Sequence, residues 1–72
     1  SDMELEIKRF YREDENFRLL CEDYAVCALA LQNMKTANPP PSRERCEEYE
    51  QMLAELEREI EVWLQESEIA SR

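Results

Sequence analysis

Apolar side chains recur along this chain at spacings of three and four residues, in two separate runs. Phe17, Leu20, Tyr24, Cys27, Leu31 and Met34 form the first, with Phe10 one heptad before Phe17. Cys46, Tyr49, Leu53, Leu56, Ile60 and Trp63 form the second. That spacing puts each set on one stripe of an α-helix. No strand-like alternation of comparable length competes with it. The pattern predicts an all-α chain with two long helices.

Thr36-Ala37-Asn38-Pro39-Pro40-Pro41-Ser42 separates the runs. Proline removes an amide donor and turns the residue before it away from helix. The first helix should stop near Ala37 or Asn38. Either Ser42 caps the second helix, or Asn38 does and the prolines fill its first turn. Glu44, Glu47 and Glu48 then lie near the positive end of the helix dipole. Folding the chain back at Pro40 makes the stripes face each other. Met34 with Cys46, Leu31 with Tyr49, Cys27 with Leu53, Tyr24 with Leu56, Leu20 with Ile60 and Phe17 with Trp63 each lie equally far from Pro40. The expected architecture is a two-helix antiparallel hairpin, one domain over residues 3–72. Helix 1 covers about 4–37, a Pro-rich turn 38–41, and helix 2 about 42–69. Residues 3–13 fit no single stripe. They extend helix 1, or form a separate arm with Asp14 capping the helix proper; their facing region would be 66–70.

The hairpin seam does not use all the apolar surface. Leu19, Val26 and Leu29 lie away from it, with Ala25, Ala28 and Ala30 between them. From Tyr24 to Leu31 the helix is apolar all round, as in helices buried on every side. Met52 and Leu64 flank the stripe of helix 2, whose outer face is Glu-rich. A two-fold dimer is the simplest completion, a four-helix bundle in which the middles of helix 1 pack together. Its expected interface is Leu19, Ala25, Val26, Leu29 and Ala30. A different protein could instead cover that face.

Composition narrows the picture. At 72 residues a single core struggles to offset the entropy of ordering the chain. Glycine is absent and the three prolines are contiguous, which suits long uninterrupted helices. The formal charge is −9, from 18 acidic and 9 basic residues. Such a surface repels phosphate backbones and anionic lipid, so no nucleic-acid partner is expected and a basic partner is favoured. The longest apolar run, Tyr24 to Leu31, is far short of the ~20 residues that span a bilayer. Neither a membrane segment nor a signal peptide is expected, and the location read from this is cytoplasmic.

The residues that chemistry needs are scarce. There is no histidine, so the usual general base and commonest metal ligand are missing. Without glycine there is no phosphate-cradling loop. Pairs such as Glu44/Glu48, Glu55/Glu59 and Glu57/Glu61 share helix faces but lie off the apolar stripes, and read as solvated surface. Cys21, Cys27 and Cys46 have no C-x-x-C spacing. In the hairpin register no two of them come within bridging reach, which suits a reducing compartment. Cys27 and Cys46 are expected as small core residues; Cys21 borders the seam. No catalytic residue, metal ligand or cofactor site is expected.

Asn16-Phe17-Arg18-Leu19-Leu20, Tyr24, Leu53, Leu56, Glu59-Ile60 and Trp63-Leu64 resemble the YdcH-type short bacterial α-helical hairpins, over roughly residues 16–66. The resemblance implies a two-helix fold and a bacterial source, and no function. The expected role is a non-enzymatic oligomeric interaction or assembly module. The alternative is an acidic inhibitor or nucleic-acid mimic that occupies a basic groove, and a carboxylate-based enzyme or metal protein ranks third.

Overall fold

The computed structural model describes the backbone of residues 2–70 and the side chains of residues 3–66. Three helices follow in order: α1 Asp2–Glu13, α2 Glu15–Thr36 and α3 Arg43–Ala70. The long helices α2 and α3 run antiparallel, bringing Phe17 to Trp63 and Cys27 to Tyr49. The side chains of the expected facing region 66–70 lie outside the described residues, except that of Glu66.

The expected two-helix hairpin is therefore corrected to three helices, because helix 1 does not run unbroken over 4–37. The break is at Asp14, whose backbone is extended at φ −121° and ψ 117°. Its carboxylate accepts the Phe17 backbone N–H at 3.0 Å, which makes it the N-cap of α2. The last carbonyls of α1 lose their ladder partners at such a break. Arg18 reaches back for two of them. Its guanidinium donates to the carbonyl oxygen of Tyr11 at 2.8 Å and to that of Arg12 at 3.0 Å. Asp14 and Arg18 thus satisfy both sides of the interruption. The Asp14 N–H still bonds the Phe10 carbonyl at 2.8 Å, so the chain bends at the junction without unwinding.

The Pro-rich break is wider than 38–41. α2 ends at Thr36, with the Ala37 N–H on the Met34 carbonyl at 3.3 Å. The Asn38–Pro39 peptide is cis. Ser42, not Asn38, caps α3. Its hydroxyl accepts the Arg45 N–H at 3.2 Å, and its carbonyl accepts that of Cys46 at 3.2 Å.

The core is small. Among the described residues, Phe17, Cys27, Leu31 and Leu64 are the buried apolar side chains. The other stripe positions, Leu20, Tyr24, Met34, Cys46, Tyr49, Leu53, Leu56, Ile60 and Trp63, are half-buried. Two helices lining each other on one stripe leave the flanks of that stripe open to water. The exception is the end where α1 arrives. There Phe10 stacks edge-on to Phe17 with centroids 5.7 Å apart, and Trp63 lies 5.6 Å from Phe17 and 6.3 Å from Phe10. Phe17 is 0% exposed at the centre of this aromatic triad. Leu64, one residue beyond the stripe, is buried at the same end.

The result is elongated, about 50 × 22 × 18 Å, with a radius of gyration of 14.8 Å. A compact domain of this length would have a radius near 11 Å.

Candidate interaction surface

The middle of α2 carries an unpartnered apolar stretch. Val26 is 69% exposed, Leu29 58% and Leu19 51%. Ala25 is exposed; Ala28 and Ala30 are half-buried. At 100° per residue, Val26 lies about 20° around the axis from Leu19 and about 60° from Leu29. Leu19, Val26 and Ala30 therefore form one shoulder of α2, and Ala25 with Leu29 forms the other. Between Tyr24 and Leu31 the all-apolar sequence faces α3 on one side only. Its other sides meet water within the single chain.

The Leu19–Val26 shoulder opens into a groove along the α2–α3 seam. One recess of about 370 Å³ is lined by Asp23, Val26, Cys27, Tyr49, Met52 and Leu56. A second, of about 300 Å³, follows with Leu20, Arg58, Glu59, Val62, Trp63 and Glu66. On α3, Met52, Leu56, Glu59, Trp63 and Glu66 recur at spacings of three and four, so one side of the helix serves both recesses. Met52 and Val62 are exposed on its rim. The apolar pattern gives Met52 as a flank of the stripe but misses Val62. Val62 lies ten residues past Met52, about 80° around α3 from it, so no repeat spacing marks it.

The groove has an apolar floor and an acidic rim. Asp23, Glu59 and Glu66 line it and are exposed. Glu48 and Glu55 lie on the same side of α3 by helical spacing and are exposed as well. Arg58 is the base among the lining residues, and Arg45 sits over the Tyr49 ring at 5.8 Å. The ion pairs Lys8–Glu4 and Arg43–Glu47, each 3.8 Å, lie elsewhere and are too exposed to contribute much.

The Cys21 thiol is a poor nucleophile by position. Burial pushes the half-buried Cys21 thiol above its ordinary value of 9.0, and the neighbouring Glu22 carboxylate adds to the rise. A thiol held protonated is unreactive at neutral pH. Cys27 is buried, and its Sγ donates weakly to the Tyr49 carbonyl at 3.6 Å. Tyr11 donates its hydroxyl proton to Glu22 at 3.2 Å, and that carboxylate raises the Tyr11 pKa above 10.0. Among the described residues, no group of three or more Cys, Asp or Glu side chains converges as a metal site would require. No described helix is long and apolar enough to cross a membrane.

No protein-family model, curated protein or solved structure matches the chain.

Proposed function

We propose that this protein is a non-enzymatic interaction module that works by presenting the outer side of α2. The observation that carries the reading is the exposure of Leu19, Val26 and Leu29 on a chain with so few buried side chains. Its accessible surface is 5889 Å². A compact monomer of 8.7 kDa would expose about 4,700 Å², so roughly 1,200 Å² is in excess. A standard interface covers about 800 Å² per partner, so one contact could absorb most of that excess.

The first partner is a second copy. Ala25 lets a neighbouring backbone approach closely beside Leu29 and Val26, and a two-fold pairing of α2 with α2 joins two α2–α3 pairs into a four-helix bundle. Burying Leu19, Val26 and Leu29 would contribute roughly 1.5–3 kcal/mol per side chain. Light scattering behind a sizing column tests this at two concentrations. Leu29→Asp should dissociate the pair, because it would place an unpaired charge in the contact.

The second reading, an acidic protein that occupies a basic surface, is favoured by the carboxylates along α3. Its binding would weaken steeply with salt; salt-insensitive binding to a basic partner would sink it.

A further inference from the structure

We propose that the groove between α2 and α3, on the Asp23–Met52 side, docks a basic amphipathic helix from another protein. The proposal rests on the reading of the chain as an interaction module, but its groove lies beside the α2 self-contact and shares Val26 alone with it. Cys27, which lines the groove, lies about 160° around α2 from Ala25 and Leu29, and Asp23 about 160° from Ala25 and about 120° from Leu29.

Three observations select the occupant. The first is shape. The two recesses follow each other along the seam from Tyr49 to Glu66. At 1.5 Å per residue that stretch of α3 is about 25 Å long, the length of a helix of nearly five turns. A helix lying there would contact both α2 and α3, as a third helix completes a bundle.

The second is chemistry. The floor offers Leu20, Cys27, Tyr49, Leu56 and Trp63, and the exposed Met52 and Val62 extend it outward. These two successive apolar recesses match a ligand helix with apolar residues at i, i+3 or i+4, and i+7. The Met52 thioether adapts easily to partner side chains of different shape.

The third is charge. Asp23, Glu48, Glu55, Glu59 and Glu66 border the groove, with Arg58 the base among its lining residues. A second copy seated face to face would set one row of carboxylates against another. A helix flanked by Lys or Arg would meet them with opposite charge. The groove therefore selects against its own copy and for a basic partner.

The chain supplies its own probe, because Trp63 is the single tryptophan and lines the groove. The test is a titration of the full chain with Trp-free peptides of about 18 residues, five helical turns. One carries Leu on the contact stripe with Lys flanks; a second has Glu flanks; a third keeps Lys but replaces Leu by Ala. The Leu/Lys peptide should shift Trp63 emission saturably. The Glu-flanked and Ala-striped peptides should bind at least about ten-fold more weakly. Salt should weaken both Lys-flanked peptides and not the Glu-flanked one, since screening acts on the flanking charges.

Two variants localise the effect. Met52→Lys should abolish the shift, while Leu29→Asp should leave it intact. Glu59→Lys/Glu66→Lys, on exposed positions that the fold does not need, should move the preference toward the Glu-flanked peptide. The proposal is overturned by no saturable shift, by equal binding of the Lys- and Glu-flanked peptides, or by full binding of the Ala-striped one. It is also overturned if Met52→Lys halves the solution mass, because the groove would then belong to a second copy. Loss of the dimer in Leu29→Asp with peptide binding intact separates this site from the self-contact.

Discussion

The two ends of the α2–α3 pair obey the same helical spacing and end in opposite states. Near Phe17 and Trp63 a third helix arrives, and the side chains there close into a core with Phe17 fully buried. Ten residues along the same helix no third element is present among the described residues, and Cys27 is buried while its neighbour Val26 stands in water. The difference is not in the residues, since the stretch around Val26 is the more apolar of the two. It lies in how many helices are present to cover them. Two helices can shield one stripe each, and a helix that is apolar on several sides needs further partners. α1 supplies one at the closed end, and the open stretch waits for one from outside.

Variants can sharpen or break that contrast. The largest effect is expected at the closed end. Phe17→Ala should destabilise by about 3–5 kcal/mol, read as a lower urea midpoint at unchanged slope. Leu56→Ala, on the half-buried seam of the open stretch, should cost about 2 kcal/mol, at the low end for such truncations because part of the side chain is already in water. If Leu56→Ala costs as much as Phe17→Ala, the open stretch is not open in solution. Asp14→Ala should cost about 1 kcal/mol through the lost cap. It should also raise hydrogen exchange in α1 before α3, because the cap and Arg18 hold the junction that docks Phe10. The smallest effect is electrostatic. Cys21 and Tyr11 both have pKa values raised in the folded chain. Their folded forms therefore favour the proton, so this contribution is complete below the ordinary values of 9.0 and 10.0. It fades as pH rises through the folded values. The urea midpoint should fall slightly between pH 9 and 11 and stay flat between 7 and 8.5 as far as these two groups are concerned.

Much of this architecture was legible in the sequence, for physical reasons that differ by region. The two stripes and the Pro-rich break are strong periodic and steric signals. They place α3 and the C-terminal end of α2 within a few residues and align Phe17 with Trp63, but not the start of α2. Ser42 was readable as a cap because a hydroxyl before Glu-rich helix satisfies free amides. The split at Asp14 was ambiguous. An acidic residue in mid-helix is ordinary, and what decides for a break is Arg18 reaching the Tyr11 and Arg12 carbonyls, a tertiary arrangement that no spacing announces. The exposed set Leu19, Val26 and Leu29 could be named from the pattern, but the groove could not. It arises from two helices together, and Val62 joins it only once the seam has a direction.

The central claim is that the open stretch of α2 is covered by another chain, and first by its own copy. Solution mass by light scattering at micromolar concentration tests it most directly, with Leu29→Asp run beside the unmodified protein. The account predicts twice the 8.7 kDa chain mass for the protein and the single-chain mass for Leu29→Asp, with far-UV helicity retained. A single-chain mass for both, at every concentration tried, would contradict the self-association.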